Sequence, residues 1–297
     1  MREARAKRVS MNFERNFSLL ALSSLCACVA PAVDPGSESP VDMLGELDQD
    51  TFMAMHELSE SPVLELRGRT ESIDVPGHGE MTGYYSEPTG LEGPLPGVVM
   101  IHEWWGLNDH IRLSADRVAG LGYAVLAVDL YQGTVASTRE QAMAAMQGVE
   151  RERASATLRA ARAWLENTSG EGEAPVASIG WCFGGGWSMQ LALEDPELDG
   201  AIVYYGRTEV DPAQAAGIQA RVLGVFGSRD RGIDSEYVEG LAATLSAAQV
   251  DHRFLIYDAD HAFANPSSAR YDHEHAGEAW EETQAFLAEV FAAGASD

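Results

Sequence analysis

Six short apolar runs separated by helix-length stretches constrain this chain more than any other feature of its sequence. They are Gly97–Ile101, Ala124–Val128, Val176–Ile179, Ala201–Tyr204, Val222–Phe226 and Arg253–Tyr257. Runs this short fit strands buried on both faces of a parallel sheet better than buried helices. Helical patterns lie between them, near residues 109–119, 138–167, 184–194, 234–248 and 274–292. Two opening strands are read at 68–75 and 80–87, around the turn Pro76-Gly77-His78-Gly79. This alternation predicts an α/β fold with a mostly parallel central sheet and helices on both faces. With 297 residues, 45% of them hydrophobic, the chain is long enough for one large domain. Ligands in such sheets bind beyond the carboxyl ends of the strands, so functional residues are expected just after strands.

The segment Ser178-Ile-Gly180-Trp-Cys182-Phe183-Gly184-Gly185-Gly186 joins a predicted strand to a predicted helix. It reads G-x-C-x-G, a nucleophile elbow with cysteine in place of serine, in which a side chain at Gly180 or Gly184 would collide with neighbouring backbone. A helix N-terminus at that turn favours thiolate over thiol. The partners of such a nucleophile follow in the order acid, then histidine. Asp230 stands just after the run ending at Phe226, and His261 just after the run ending at Tyr257. The prediction is a triad in which Cys182 attacks, His261 accepts the thiol proton or holds an ion pair with the sulfur, and Asp230 orients the imidazole and stabilises its charged form. The predicted oxyanion donors are the backbone amides of Phe183 and of Trp104, which lies in the loop after the third strand. No metal or other cofactor is predicted. His102-Glu103 lacks the second histidine of a zinc-protease helix, because Gly106 stands there, and His273 with His275 reads as a solvated pair at a helix start.

Charge and lysine content exclude other classes. The chain carries 20 basic against 46 acidic side chains, a formal net charge of −26. Such a surface repels phosphate backbones, so no nucleic-acid partner is expected. Lys7 is the only lysine, and it lies in a segment read as removed. That rules out a Schiff-base lysine, a Ser–Lys dyad or a phosphate-loop lysine in the folded domain.

Residues 1–32 read as an export signal, with a basic stretch from Arg2 to Arg15 before an apolar run from Phe17 to Ala30 that is too short for a comfortable span. Met11 is an alternative start. Leu25-Cys26-Ala27-Cys28 has the pattern of a bacterial lipobox, which would tether the protein to a membrane through lipidated Cys28. Ala30-Pro31-Ala32 offers a plain cleavage site instead, and the lipoprotein reading is preferred. The expectation is therefore an exported protein, lipid-anchored at the cell envelope or periplasmic. Residues 33–62 are read as an acidic, largely disordered tether with one short amphipathic helix around Leu44–Leu58, and 63–297 as the folded domain. Either cleavage leaves Cys182 as the sole cysteine of that domain.

Taken together, these residues resemble the dienelactone hydrolase family, which has the α/β-hydrolase fold. The matching elements are His102-Glu103-Trp-Trp-Gly-Leu-Asn108, Asp129-Leu-Tyr131, Gly180-Trp-Cys182-Phe-Gly-Gly185, Tyr204-Tyr205-Gly206, Asp230 and His261, spanning about 75–290. In that family the resting thiol contacts a glutamate, and substrate binding displaces the carboxylate, which helps to generate the thiolate. The resemblance gives that role to Glu103. Members that act on dienelactone hold the substrate carboxylate with two arginines, one shortly after the D-L-Y strand end and one four residues after the histidine. Here Gln132-Gly133 follow Tyr131, and the later position is Asn265, leaving Arg207 and Arg231 as candidates to substitute.

The expected function is a thiol-dependent hydrolase of small carboxylic esters or lactones. The alternative is a surface-tethered binding protein that keeps the fold without useful catalysis. A serine-type esterase or peptidase is disfavoured because no G-x-S-x-G occurs in the chain.

Overall fold

Four strands buried at every position form the centre of the sheet: β4 (Gly97–Ile101), β5 (Ala124–Val128), β6 (Val176–Trp181) and β7 (Gly200–Tyr204). All run parallel, and β8 (Arg221–Gly227) and β9 (His252–Tyr257) extend them on one side. On the other side, β3 (Gly79–Ser86) pairs antiparallel with β5, and β2 (Arg69–Val75) with β3. A short strand, β1 (Lys7–Ser10), lies antiparallel beside β9, giving the order β1-β9-β8-β7-β6-β4-β5-β3-β2. This computed structural model describes residues 7–10, 67–91, 93–168 and 174–294. Apart from Lys7–Ser10, the stretch read as export signal and tether lies outside the described residues, including Cys26, Cys28 and the helix expected at 44–58. No described helix is long and apolar enough to cross a membrane.

Helices cover both faces. On one face, α3 (Arg151–Thr168) packs over β2, β4 and β5 and against α4 (Phe183–Glu194), which lies over β6 and β7. On the other, α1 (Asp109–Ala119) and α7 (His273–Gly294) come together, with the Arg117 guanidinium 4.0 Å from the Trp280 ring centre. Tyr204 points to that face and donates to the Ala279 carbonyl of α7 at 3.0 Å.

The helix expected over 138–167 is two helices, α2 (Arg139–Gln147) and α3. Gly148 closes α2, its N–H reaching the Ala144 and Ala145 carbonyls at 3.0 and 3.2 Å. Glycine is a poor helix-interior residue, and the amphipathic pattern carried across it concealed the break. The four-residue α5 (Pro212–Ala215), capped by Asp211, and β1 were not anticipated. Between β7 and β9 stand β8 and, after it, α6 (Ser235–Ala247), close to the predicted bounds.

This strand order positions the site. From β4 the chain passes to β5 on one side and then to β6 on the other, so β4 and β6 flank a topological switch point. The crevice beyond their carboxyl ends is where ligands bind in such sheets.

Candidate active site

Cys182 occupies the sharp turn between β6 and α4, at φ 54° and ψ −117°. A non-glycine residue in that region carries strain on the order of 1–3 kcal/mol and persists only where its surroundings enforce it. Here they do. The Cys182 N–H donates to the Tyr204 carbonyl at 3.0 Å, and its own carbonyl accepts from Gly186 at 3.1 Å. The glycines allow the close approach: a Cβ on Gly180 would stand 2.0 Å from the Gly184 carbonyl oxygen, and one on Gly184 would stand 2.3 Å from that of Ile101. Cys182 is also the N-cap of α4, whose first turn contains no acidic residue, so the helix end favours negative charge near the sulfur.

Beyond β8 and β9 the next two predicted residues meet. His261 Nδ1 lies 2.6 Å from Asp230 Oδ2, with both side chains buried. The other Asp230 oxygen accepts the Gly232 and Ile233 amides at 2.9 and 3.1 Å, which fixes the carboxylate plane. Burial by itself lowers the His261 pKa. The charges of Asp230 and of the Cys182 sulfur, with hydrogen bonds to both, more than reverse this and hold the imidazole well above its ordinary range. Cys182, His261 and Asp230 therefore form one electrostatic cluster, with Nδ1 committed to the carboxylate.

Glu103 follows β4 and is 4% exposed. Its carboxylate accepts a short hydrogen bond from Asn265 Nδ2 and a longer one, 3.4 Å, from the Tyr205 hydroxyl. Desolvation is the largest influence on the carboxyl and raises its pKa to about 7, while His261, Asn265 and Tyr205 pull the other way. Tyr205 stands directly after β7 with its ring 5.1 Å from that of His261. In the sequence Tyr205 and Asn265 stand out only as a matched and an unmatched family position, although Tyr205 follows a strand end just as Glu103 does.

His102, met in the sequence only as part of a failed zinc motif, is fully buried and built into this loop. Its Nε2 receives the Leu130 N–H at 3.2 Å, so Nδ1 carries the proton and donates to the Glu103 carbonyl at 2.6 Å. Burial lowers its pKa and keeps the ring neutral. The Glu103 carbonyl and the Trp104 N–H belong to one planar trans peptide and point in opposite directions. His102 thereby sets the direction of the Trp104 amide. Phe183, the other expected amide donor, packs its ring against His102 at 5.6 Å.

Other sequence candidates lie elsewhere. Gln132 is exposed, in a turn at φ 52°. Arg207 donates to the Gly232 carbonyl at 3.2 Å and lies 4.8 Å over the Tyr237 ring, and Arg231 is exposed. His273 opens α7, where His275 pairs with Asp272 at 2.8 Å. Among the described residues no group of three or more His, Cys, Asp or Glu side chains is placed to hold a metal ion.

The sequence model of the dienelactone hydrolase family matches residues 81–291, which include every residue of this cluster. The chain belongs to the dienelactone hydrolase family. It is a hydrolase on the α/β-hydrolase fold. A relative from Saccharolobus solfataricus, provisionally named a carboxymethylenebutenolidase, is 30% identical over 240 residues, covering 67% of this chain and 91% of its own. Among solved structures, a protein designated m3DLH is 31% identical with a TM-score of 0.70, covering 76% of this chain and 99% of that one. A metagenomic dienelactone hydrolase-like promiscuous phosphotriesterase is 27% identical with a TM-score of 0.68, over 76% and 99% of the two chains.

Proposed function

We propose that this dienelactone hydrolase relative cleaves small carboxylic esters or lactones through Cys182, His261 and Asp230. The observation that carries the reading is the convergence of the strained Cys182 with the buried His261–Asp230 pair, each beyond a strand end. With Nδ1 held by Asp230, Nε2 is the nitrogen that holds the thiol proton, as an imidazolium paired with the thiolate that attacks the carbonyl carbon. The oxyanion so formed is held by the Phe183 and Trp104 amides. Collapse expels the alcohol oxygen, protonated by His261, and leaves a thioester on Cys182. Water then attacks that thioester, His261 takes the water proton, and collapse expels the thiolate beside the imidazolium and frees the acid. No cofactor takes part in this scheme. Glu103 is assigned the thiolate-generating role by family resemblance.

The test is Cys182→Ala against small aryl esters. Turnover is expected to fall by about 10⁴-fold or more while the circular dichroism spectrum is kept. Undiminished turnover overturns the reading. A physiological setting at the cell envelope is part of the same proposal, supported by the basic and apolar segments before residue 33 and by the lipobox pattern ending at Cys28. Metabolic labelling with a fatty-acid analogue, lost on Cys28→Ser, is the corresponding check.

A further inference from the structure

The Glu103 carboxylate sits among an instructive set of neighbours. Asn265 and Tyr205, both neutral, hydrogen-bond its two oxygens, and of the groups acting on it His261 is the one that carries positive charge. Asn265 is itself fixed. The Ser267 amide and hydroxyl both donate to its Oδ1, at 2.8 and 2.6 Å. Flipping the amide would set its NH2 against two donors, so Nδ2 must face Glu103. The pair is sealed from water, with Asn265 2% and Glu103 4% exposed.

Among the described residues, the groups that act on this carboxyl are His261, Asn265 and Tyr205, with no guanidinium among them. Arg207, the arginine after β7, is engaged with the Gly232 carbonyl and the Tyr237 ring. An anionic substrate group arriving here would face an acid that ionises near neutral pH, with His261 as the cation that acts on it among the described residues and that charge already shared with Asp230. Like charges at close range in a poorly solvated site disfavour each other strongly.

We propose that Asn265 is a positioning and specificity-determining residue: it fixes the Glu103 carboxylate beside His261 without lending it positive charge, and the site therefore takes esters and lactones that are uncharged around the scissile carbonyl and rejects those bearing a free carboxylate. This rests on the thiol-hydrolase reading above.

Two measurements on the full chain separate the inferences. In the first, kcat/KM is compared for a matched pair, an aryl butanoate and the corresponding aryl hemisuccinate, at pH 8. The neutral ester is expected to be favoured by tenfold or more, about 1.4 kcal/mol. Equal use of the two, or preference for the hemisuccinate, overturns the proposal. In the second, Cys182 alkylation is followed by peptide mass with neutral iodoacetamide and anionic iodoacetate. A preference for iodoacetamide well above that of free cysteine is expected, and the free-cysteine ratio overturns the proposal. Loss of both ester activities with the alkylation preference intact sinks the hydrolase reading and leaves the charge selection standing.

Asn265→Leu and Asn265→Ala both remove the donor, so one folded variant suffices. Each is expected to raise the midpoint of Glu103, about 7 in the parent, by on the order of one unit, read as the Glu103-linked step in the pH dependence of alkylation. A midpoint unchanged in a folded variant assigns Asn265 a packing role only and overturns its part in the proposal.

Discussion

Glu103 shows at the scale of one residue how a site of this kind is bought at the expense of stability. Its carboxyl titrates at about 7 in the folded protein, against 4.5 for the ordinary group, with burial as the largest cause. In the unfolded chain the same group ionises around 4.5. Between those values the unfolded state sheds a proton that the folded state keeps, so stability is lost as pH rises through this window and is fully present only below it. A gap of about 2.5 pH units corresponds to a cost on the order of 3 kcal/mol at pH 8. Glu103→Gln removes the ionisation while keeping the shape. Urea denaturation at pH 4.5 and pH 8 is expected to show the variant gaining on the parent by up to that amount at the higher pH. A difference independent of pH would mean that the carboxyl is ionised throughout.

At the scale of elements, the loop after β4 is held to the end of β5 by His102, which bridges the Leu130 amide and the Glu103 carbonyl. His102→Phe keeps a ring against Phe183 but strands both backbone groups in the core, at about 1–3 kcal/mol for each unsatisfied group. Because the same peptide presents the Trp104 amide, kcat on a neutral aryl ester is expected to fall about 10- to 100-fold with KM less affected. A fall in KM-dependent binding alone, with kcat intact, would remove His102 from the orientation of that amide. This bridge was not legible in the sequence, because it joins positions 28 residues apart through one neutral tautomer. The strands, by contrast, were legible because apolar runs of four or five residues are too short for buried helices and fit strands covered on both faces. The placement of Cys182, Asp230 and His261 followed from the same strand ends. The break at Gly148 and the Asn265–Ser267–Glu103 chain did not, since the one depends on where an amphipathic stripe is interrupted and the other on which way a side-chain amide faces.

At the scale of the whole molecule, the acidic excess lies on a fold whose core admits few carboxylates, Glu103 and Asp230 among them. The chain has 46 acidic and 20 basic side chains, so most carboxylates on its surface have no cation to pair with. Some do pair: Arg221 reaches Asp251 at 2.8 Å and Glu289 at 3.2 Å, and Arg69 reaches Glu71 at 2.6 Å and Glu87 at 3.0 Å. Salt weakens these exposed attractions, each worth about 0–1 kcal/mol, and it equally weakens the repulsion among the unpaired majority. With a net charge of −26 the repulsive contacts outnumber the attractive ones, and compaction brings them closer than they lie in the unfolded chain. Screening should therefore stabilise the native state. The Tm is expected to rise by a few degrees when sodium chloride is raised from roughly 10 to 150 mM at pH 8, as the Debye length falls from about 30 to 8 Å. The rise should shrink at pH 5, where the outermost carboxylates begin to take up protons. A Tm that falls with salt at pH 8 would show that the arginine pairs outweigh the acidic excess, and that the surface is organised for cohesion more than for solubility.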